Sequence, residues 1–176
     1  MSNHELGTVQ VYTGNGKGKT TASLGLALRA LGHNFRVCVI QFMKGSSEYG
    51  EYKALEKFEN ATVHLMGRDT FVNKEAPEVE DVELAQEGYE KARESMISGK
   101  YDIVILDEVN VALDFHLIEV EQVLELMDIK PKNVELVLTG RNADKEVVKR
   151  ADLVSEIKEV KHHFQKGIPS RKGVEH

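Results

Sequence analysis

The sequence predicts an α/β protein with a mainly parallel sheet and helices on both faces. Three observations carry this. Short apolar runs recur at residues 9–12, 36–42, 62–66, 101–106 and 134–138. Segments of helical periodicity separate them, and strands alternating with helices give a parallel sheet. Several runs are apolar almost throughout instead of alternating, as strands covered on both faces are.

Taken in order, the first run ends in Gly14-Asn15-Gly16-Lys17-Gly18, followed by Lys19-Thr20-Thr21 and an apolar-periodic helix to Leu31. Gly32-His33-Asn34 stops that helix, with glycine suited to its C-terminus. The second strand, 36–42, contains Cys38 and ends at Gln41-Phe42 before a loop, 44–47. Residues 51–58 read as a helix, with Leu55 and Phe58 at helical spacing, and 62–66 as a third strand. An irregular segment, 67–74, leads to Pro77, which sits where an early helical proline is tolerated. The long helix that follows, to about Ile97, is acidic at its start and carries Lys91 and Arg93 later, matching the helix dipole. A buried strand, 101–106, then runs into Asp107-Glu108, read as the start of a loop. Residues 119–127 form a helix closed by Ile129-Lys130-Pro131, 134–141 a strand ending in Thr139-Gly140-Arg141, 144–150 a short helix, and 153–158 a last strand. The tail, 161–176, is basic and contains glycine.

At 176 residues, 41% hydrophobic and 30% charged, the chain fits one soluble domain spanning 1–176. A net charge of −6 argues against a general nucleic-acid surface. No apolar run approaches the roughly 20 residues needed to span a bilayer. Residues 1–6 lack signal-peptide character. A single cysteine excludes an internal disulfide and fits a reducing compartment, so the expected location is the cytoplasm.

Strand, glycine loop and Gly-Lys-Thr at a helix start together predict a phosphate site. Glycines let backbone N–H groups approach an anion, and the helix N-terminus adds open donors and the positive end of its dipole. Lys19 is expected to reach phosphate oxygens and the Thr20 hydroxyl to ligate Mg²⁺ (or Mn²⁺). The spacing departs from the usual phosphate loop: Thr13 holds the first glycine position, and counting from Gly14 the loop is one residue short. Asp107 and Glu108 after a buried strand supply the carboxylates that a metal–nucleotide site needs. Arg141 is placed either to clamp phosphate or to cap a helix or serve at the surface. Adjacent His162 and His163 do not match metal-ligand spacing, and His64 lies on a strand. On these residues alone, a kinase, an ATPase and an adenosyl-transferring enzyme all stay open.

Several segments in sequence order carry a more specific resemblance: residues 12–21, 39–45, 105–110, 138–141, 151–156 and 160–162, with Gly167 and 173–175. Together they resemble the P-loop-type corrinoid adenosyltransferases, the cob(I)alamin and cob(I)yrinic acid a,c-diamide adenosyltransferase family, and the short loop is a feature of that family. The resemblance implies a three-layer P-loop NTPase-like (RecA-like) fold. It implies transfer of the 5′-deoxyadenosyl group of ATP to the Co(I) of a corrinoid such as cobalamin, with release of triphosphate. ATP would lie on Gly14, Asn15, Gly16, Lys17, Gly18, Lys19, Thr20, Thr21 and Arg141, and the metal on Thr20 and Glu108, with Asp107. Phe71 matches the first member of the family's Phe-x-Trp pair, which displaces the lower cobalt ligand; Asn73 stands where the tryptophan would be. The resemblance further implies a flavoprotein electron donor and a homodimer. The short segment ahead of the first strand leads us to expect a minimal N-terminal arm.

Overall fold

A computed structural model describes residues 7–175. The segment ahead of residue 7, on which the expectation of a minimal arm rests, lies outside the described residues. The elements are β1 (Val9–Thr13), α1 (Lys19–Gly32), β2 (Val37–Phe42), α2 (Gly50–Leu55), β3 (Ala61–Met66), α3 (Val79–Ile97) and β4 (Ile103–Asp107). They continue with α4 (Val109–Asp114), α5 (Val120–Ile129), β5 (Glu135–Thr139), α6 (Lys145–Arg150) and β6 (Leu153–Glu156).

All strand pairs are parallel, in the order β3-β2-β4-β5-β1-β6. Successive strand residues point to opposite faces, and the core divides accordingly. On one face Val9, Val11, Cys38, Ile40, Val104, Leu106, Leu136 and Leu138 pack with α3, α4, α5 and α6. On the other, Val37, Val39, Ile103, Ile105 and Val137 meet Ala27, Ala30 and Leu31 of α1 and Leu55 of α2. These are the three layers expected. Every residue of β2, β4 and β5 is buried, whereas all four of β6, at the sheet edge, are exposed.

The chain leaves β1 and returns at β2, crossing β5 and β4. Crevices at such reversals, outside the C-terminal strand ends, are where open parallel sheets bind ligands. One element differs from the reading above: Asp107-Glu108 begins no open loop, because α4 follows at once. Glu108 makes the corner in a left-handed conformation, φ 62°, and only six helical residues follow.

Candidate active site

The phosphate loop starts where β1 ends. Gly14 has φ 97°, and a Cβ there would lie 2.4 Å from the Ile157 carbonyl oxygen, so only glycine fits. The loop is tied down by backbone bonds from Gly16 N–H to Ile157 O and from Ile157 N–H to Thr13 O, each 2.8 Å. Thr13, the residue in the first glycine's place, accepts the Ala143 amide on its hydroxyl at 3.2 Å, joining the loop to the chain beyond β5. Gly18 caps α1 without a side-chain hydrogen bond, which leaves the first-turn donors open. The Lys19 ammonium is buried and donates to the carbonyls of Gly14 and Gly16, both at 2.8 Å. Burial lowers its pKa, and Arg141 adds to that, while Glu108 and Asp107 oppose it.

Asp107, at the end of β4, is fully buried and is the hub of the site. Its Oδ1 accepts from Thr20 at 2.9 Å and Thr139 at 2.7 Å; its Oδ2 accepts from Gln41 Nε2 at 3.1 Å and Lys44 Nζ at 2.8 Å. Burial alone would push this carboxyl up. The Lys44 ammonium and the hydrogen bonds from Thr139 and Gln41 outweigh it and hold Asp107 below the usual carboxylate range. The ends of β2 and β5 and the start of α1 therefore converge on the carboxylate that ends β4, and Thr20 is oriented by it.

Glu108 differs. Its backbone N–H donates to the Thr139 hydroxyl at 3.0 Å, and its side chain lines the main cavity. Its carboxylate accepts no hydrogen bond from another described residue. Burial and the neighbouring Asp107 charge push its pKa up, against Lys44, Lys19 and Arg141. A non-glycine residue held in the left-handed region stores strain of order 1–3 kcal/mol, which persists where the surroundings enforce it.

The cavity measures about 590 Å³. Residues 16–21 of the loop and helix, Lys44, Glu108 and Arg141 line it, and the tail folds over with His162, His163 and Glu175. Residues 160–162, Gly167 and 173–175 carry part of the family resemblance, but sequence reasoning gave none of these tail residues a role in the site. The two histidine rings stack at 4.5 Å. Arg171 pairs with Glu175 at 2.9 Å and holds it well down, to about 2.

Phe71 does not line this cavity. It lies fully exposed on the segment after β3, at the rim of a second cavity of about 230 Å³ with Met43, Lys44, Arg68, Val72 and Phe115. The segment is fastened at two points. Arg68 makes a two-pronged bond, 2.7 and 2.8 Å, to buried Asp81, which caps α3 together with Glu78. Lys74 bonds Asp114 at 2.8 Å. The structure thus gathers the loop residues, Asp107, Glu108 and Arg141, and sets Phe71 one cavity away. Gln41, Lys44 and Thr139 were missed as Asp107's partners. The clue was a glutamine inside an otherwise apolar run.

Comparisons with known proteins identify the family. A family model described as ATP:corrinoid adenosyltransferase BtuR/CobO/CobP matches residues 5–176. A corrinoid adenosyltransferase of Sinorhizobium sp is 38% identical over 173 residues, covering 97% of this chain and 81% of its own. One of Pseudomonas aeruginosa is 36% identical over 172 residues, covering 97% and 84%. One of Escherichia coli is 34% identical over 176 residues, covering 98% and 87%. With the match running through phosphate loop, carboxylate corner and tail alike, the chain belongs to the ATP:corrinoid adenosyltransferase family.

Proposed function

We propose that one domain spanning 1–176 transfers the 5′-deoxyadenosyl group of ATP to the Co(I) of a reduced corrinoid and releases triphosphate. The observation that carries this is the family match over nearly the whole chain, meeting a cavity whose floor is a phosphate loop. The electron pair of Co(I) forms the bond to C5′. The C5′–O bond breaks and its pair leaves on the triphosphate oxygen, so cobalt becomes Co(III) and no proton moves. The protein's work is then to hold C5′ over cobalt and to stabilise the charge on the departing oxygen.

Gly14 to Gly18 and the first turn of α1 supply backbone donors to the triphosphate. Lys19, released from the Gly14 and Gly16 carbonyls, Lys17 and Arg141 supply charge, and Thr21 completes the first turn. The donor set fits Mg²⁺ or Mn²⁺, hard cations that take oxygen ligands and keep several waters. Glu108, with its unengaged carboxylate, and the Thr20 hydroxyl would hold the ion directly. Asp107 has four donors already and acts through Thr20 as a positioning residue. When bound, the ion shares the triphosphate's negative charge. Phe71 faces the corrinoid and displaces its lower ligand, with Asn73 leaving that wedge half-built. We further assign a cytoplasmic, homodimeric protein that takes electrons from a flavoprotein. No described helix is long and apolar enough to cross a membrane.

Incubation with ATP, Mg²⁺ and chemically reduced cobalamin is expected to give adenosylcobalamin and intact triphosphate in equal amounts, read by absorbance and phosphorus NMR. ADP and phosphate as the products would overturn the assignment.

A further inference from the structure

Lys44 has a place that its pairing with Asp107 does not exhaust. Among the described residues lining the two cavities, it alone lines both. Its ammonium carries three N–H bonds. One goes to Asp107 Oδ2 at 2.8 Å; Glu51 lies 3.8 Å away and the Tyr49 ring centroid 5.8 Å. The remaining N–H bonds are available to the cavities. The residue before it, Met43, is in the left-handed region at φ 59°, which turns the chain sharply at the end of β2. The segment carrying Phe71 presses on the same corner: a Cβ on Gly67 would lie 2.3 Å from the Lys44 amide nitrogen. Lys44 therefore stands on the wall shared by the phosphate-loop cavity and the Phe71 cavity.

We propose that Lys44 is a catalytic residue that binds the oxygen on which triphosphate leaves. This rests on the adenosyltransferase reading above. Within ATP the phosphate nearest C5′ is an ester with a single negative charge. Once the C–O bond breaks, the same phosphate is a terminal group with one charge more. A cation at the shared wall binds the second state better than the first, which is the differential binding that lowers a barrier. Lys19 sits deeper, on the loop carbonyls, and Arg141 lies on the other strand end. Neither borders the Phe71 cavity.

The test uses calorimetry on the whole chain with two probes, tripolyphosphate and methyl triphosphate, at about pH 8, above the second ionisation of a terminal phosphate. The two differ by the one charge that departure creates. The unaltered protein is expected to bind tripolyphosphate roughly 10-fold more tightly, the scale of one charged hydrogen bond. Lys44→Gln, whose amide can still donate to Asp107, should abolish the preference, and Lys44→Arg should keep most of it. In turnover, Lys44→Gln should lower kcat by roughly 10- to 100-fold while KM for ATP moves little. Equal binding of the two probes by the unaltered protein overturns the proposal, and that result needs no variant to fold. A preference that survives in Lys44→Gln overturns it too. The activity is tested separately: failure to form an adenosylated corrinoid overturns the underlying reading whatever the two anions do.

Discussion

Asp107 shows how much one buried carboxylate can organise. Removed from water and left alone it would be costly; with Thr20, Thr139, Gln41 and Lys44 all donating to it, it becomes the point from which the site is built. Lys19 is arranged differently: it spends its ammonium on two loop carbonyls, bonds that triphosphate oxygens can replace at little cost to the fold. Lys19→Ala is therefore expected to lower kcat at saturating ATP by roughly 10²–10³-fold, the range for loss of one donor to a developing negative charge. Its thermal midpoint should move little; an unchanged rate would remove Lys19 from the mechanism. Cys38 makes a contrasting case. It is fully buried, its Sγ–H faces Ser95 Oγ at 3.6 Å, and burial pushes the thiol up to about 11. A thiolate is the reactive form, so Ellman's reagent at about pH 8, well below that value, should leave the folded protein unlabelled and modify one thiol in denaturant. Labelling of the folded chain would show the core more open than its packing.

At the scale of elements, the fastened segment after β3 has a consequence for function. Phe71 is fully exposed while its flanks are tied by Arg68 to Asp81 and by Lys74 to Asp114. An aromatic held out in water by a rigid frame has its ordering cost met before a partner arrives. Phe71→Ala should reduce the rate from Co(II) corrinoid with a reductant by roughly 10-fold or more, the scale of burying one aromatic ring, and affect the rate from preformed Co(I) far less. Arg68→Ala should shift both rates in the same pattern, more weakly. Equal losses from the two cobalt states would exclude the wedge role. The strands, and the long helices α1, α3 and α5, were legible in the sequence because burial on one or two faces imposes a period that the residues must obey. The corner at Glu108 and the six-residue α4 were not: the equally short α2 and α6 follow loops that mark their starts, whereas α4 follows β4 at once and its cap, Glu108, is no usual one. The site's wiring was hidden by separation along the sequence. The loop and the carboxylate pair are local patterns, but Gln41, Lys44 and Thr139 reach Asp107 only through the strand order, which no local pattern carries.

The whole molecule separates its two tasks between the two ends of the sheet. At the C-terminal ends of the strands polar groups surround the cavity. At the opposite ends, carboxylates stitch neighbouring strands together. Asp102, just before β4, takes the Arg36 backbone N–H at 2.8 Å and its guanidinium at 2.7 Å. Glu135, opening β5, accepts from the amides of Gly7 and Thr8, both at 2.9 Å, and from Gln10 and the Thr8 hydroxyl. Hydrogen bonding to Arg36 holds Asp102 below the usual range. For Glu135 burial pushes upward, and the bonds from Thr8, Gly7 and Gln10 outweigh it, so it too lies low. A carboxyl whose pKa is lower folded than unfolded takes up its proton more readily in the unfolded chain. Its contribution is therefore complete above the unfolded value, about 4, and is lost as the pH falls through the lower folded value. The share of the thermal midpoint that these two carboxylates supply should accordingly hold from neutrality to about pH 5 and drop below about pH 4. Glu135→Gln and Asp102→Asn should each start from a lower midpoint at neutral pH and fall less steeply in acid, with KM for ATP unchanged because both lie at the end away from the cavity. Acid limbs parallel to that of the unaltered protein would show that these carboxylates do not hold that end of the sheet. A raised KM for ATP would show that the two ends are coupled through the strands.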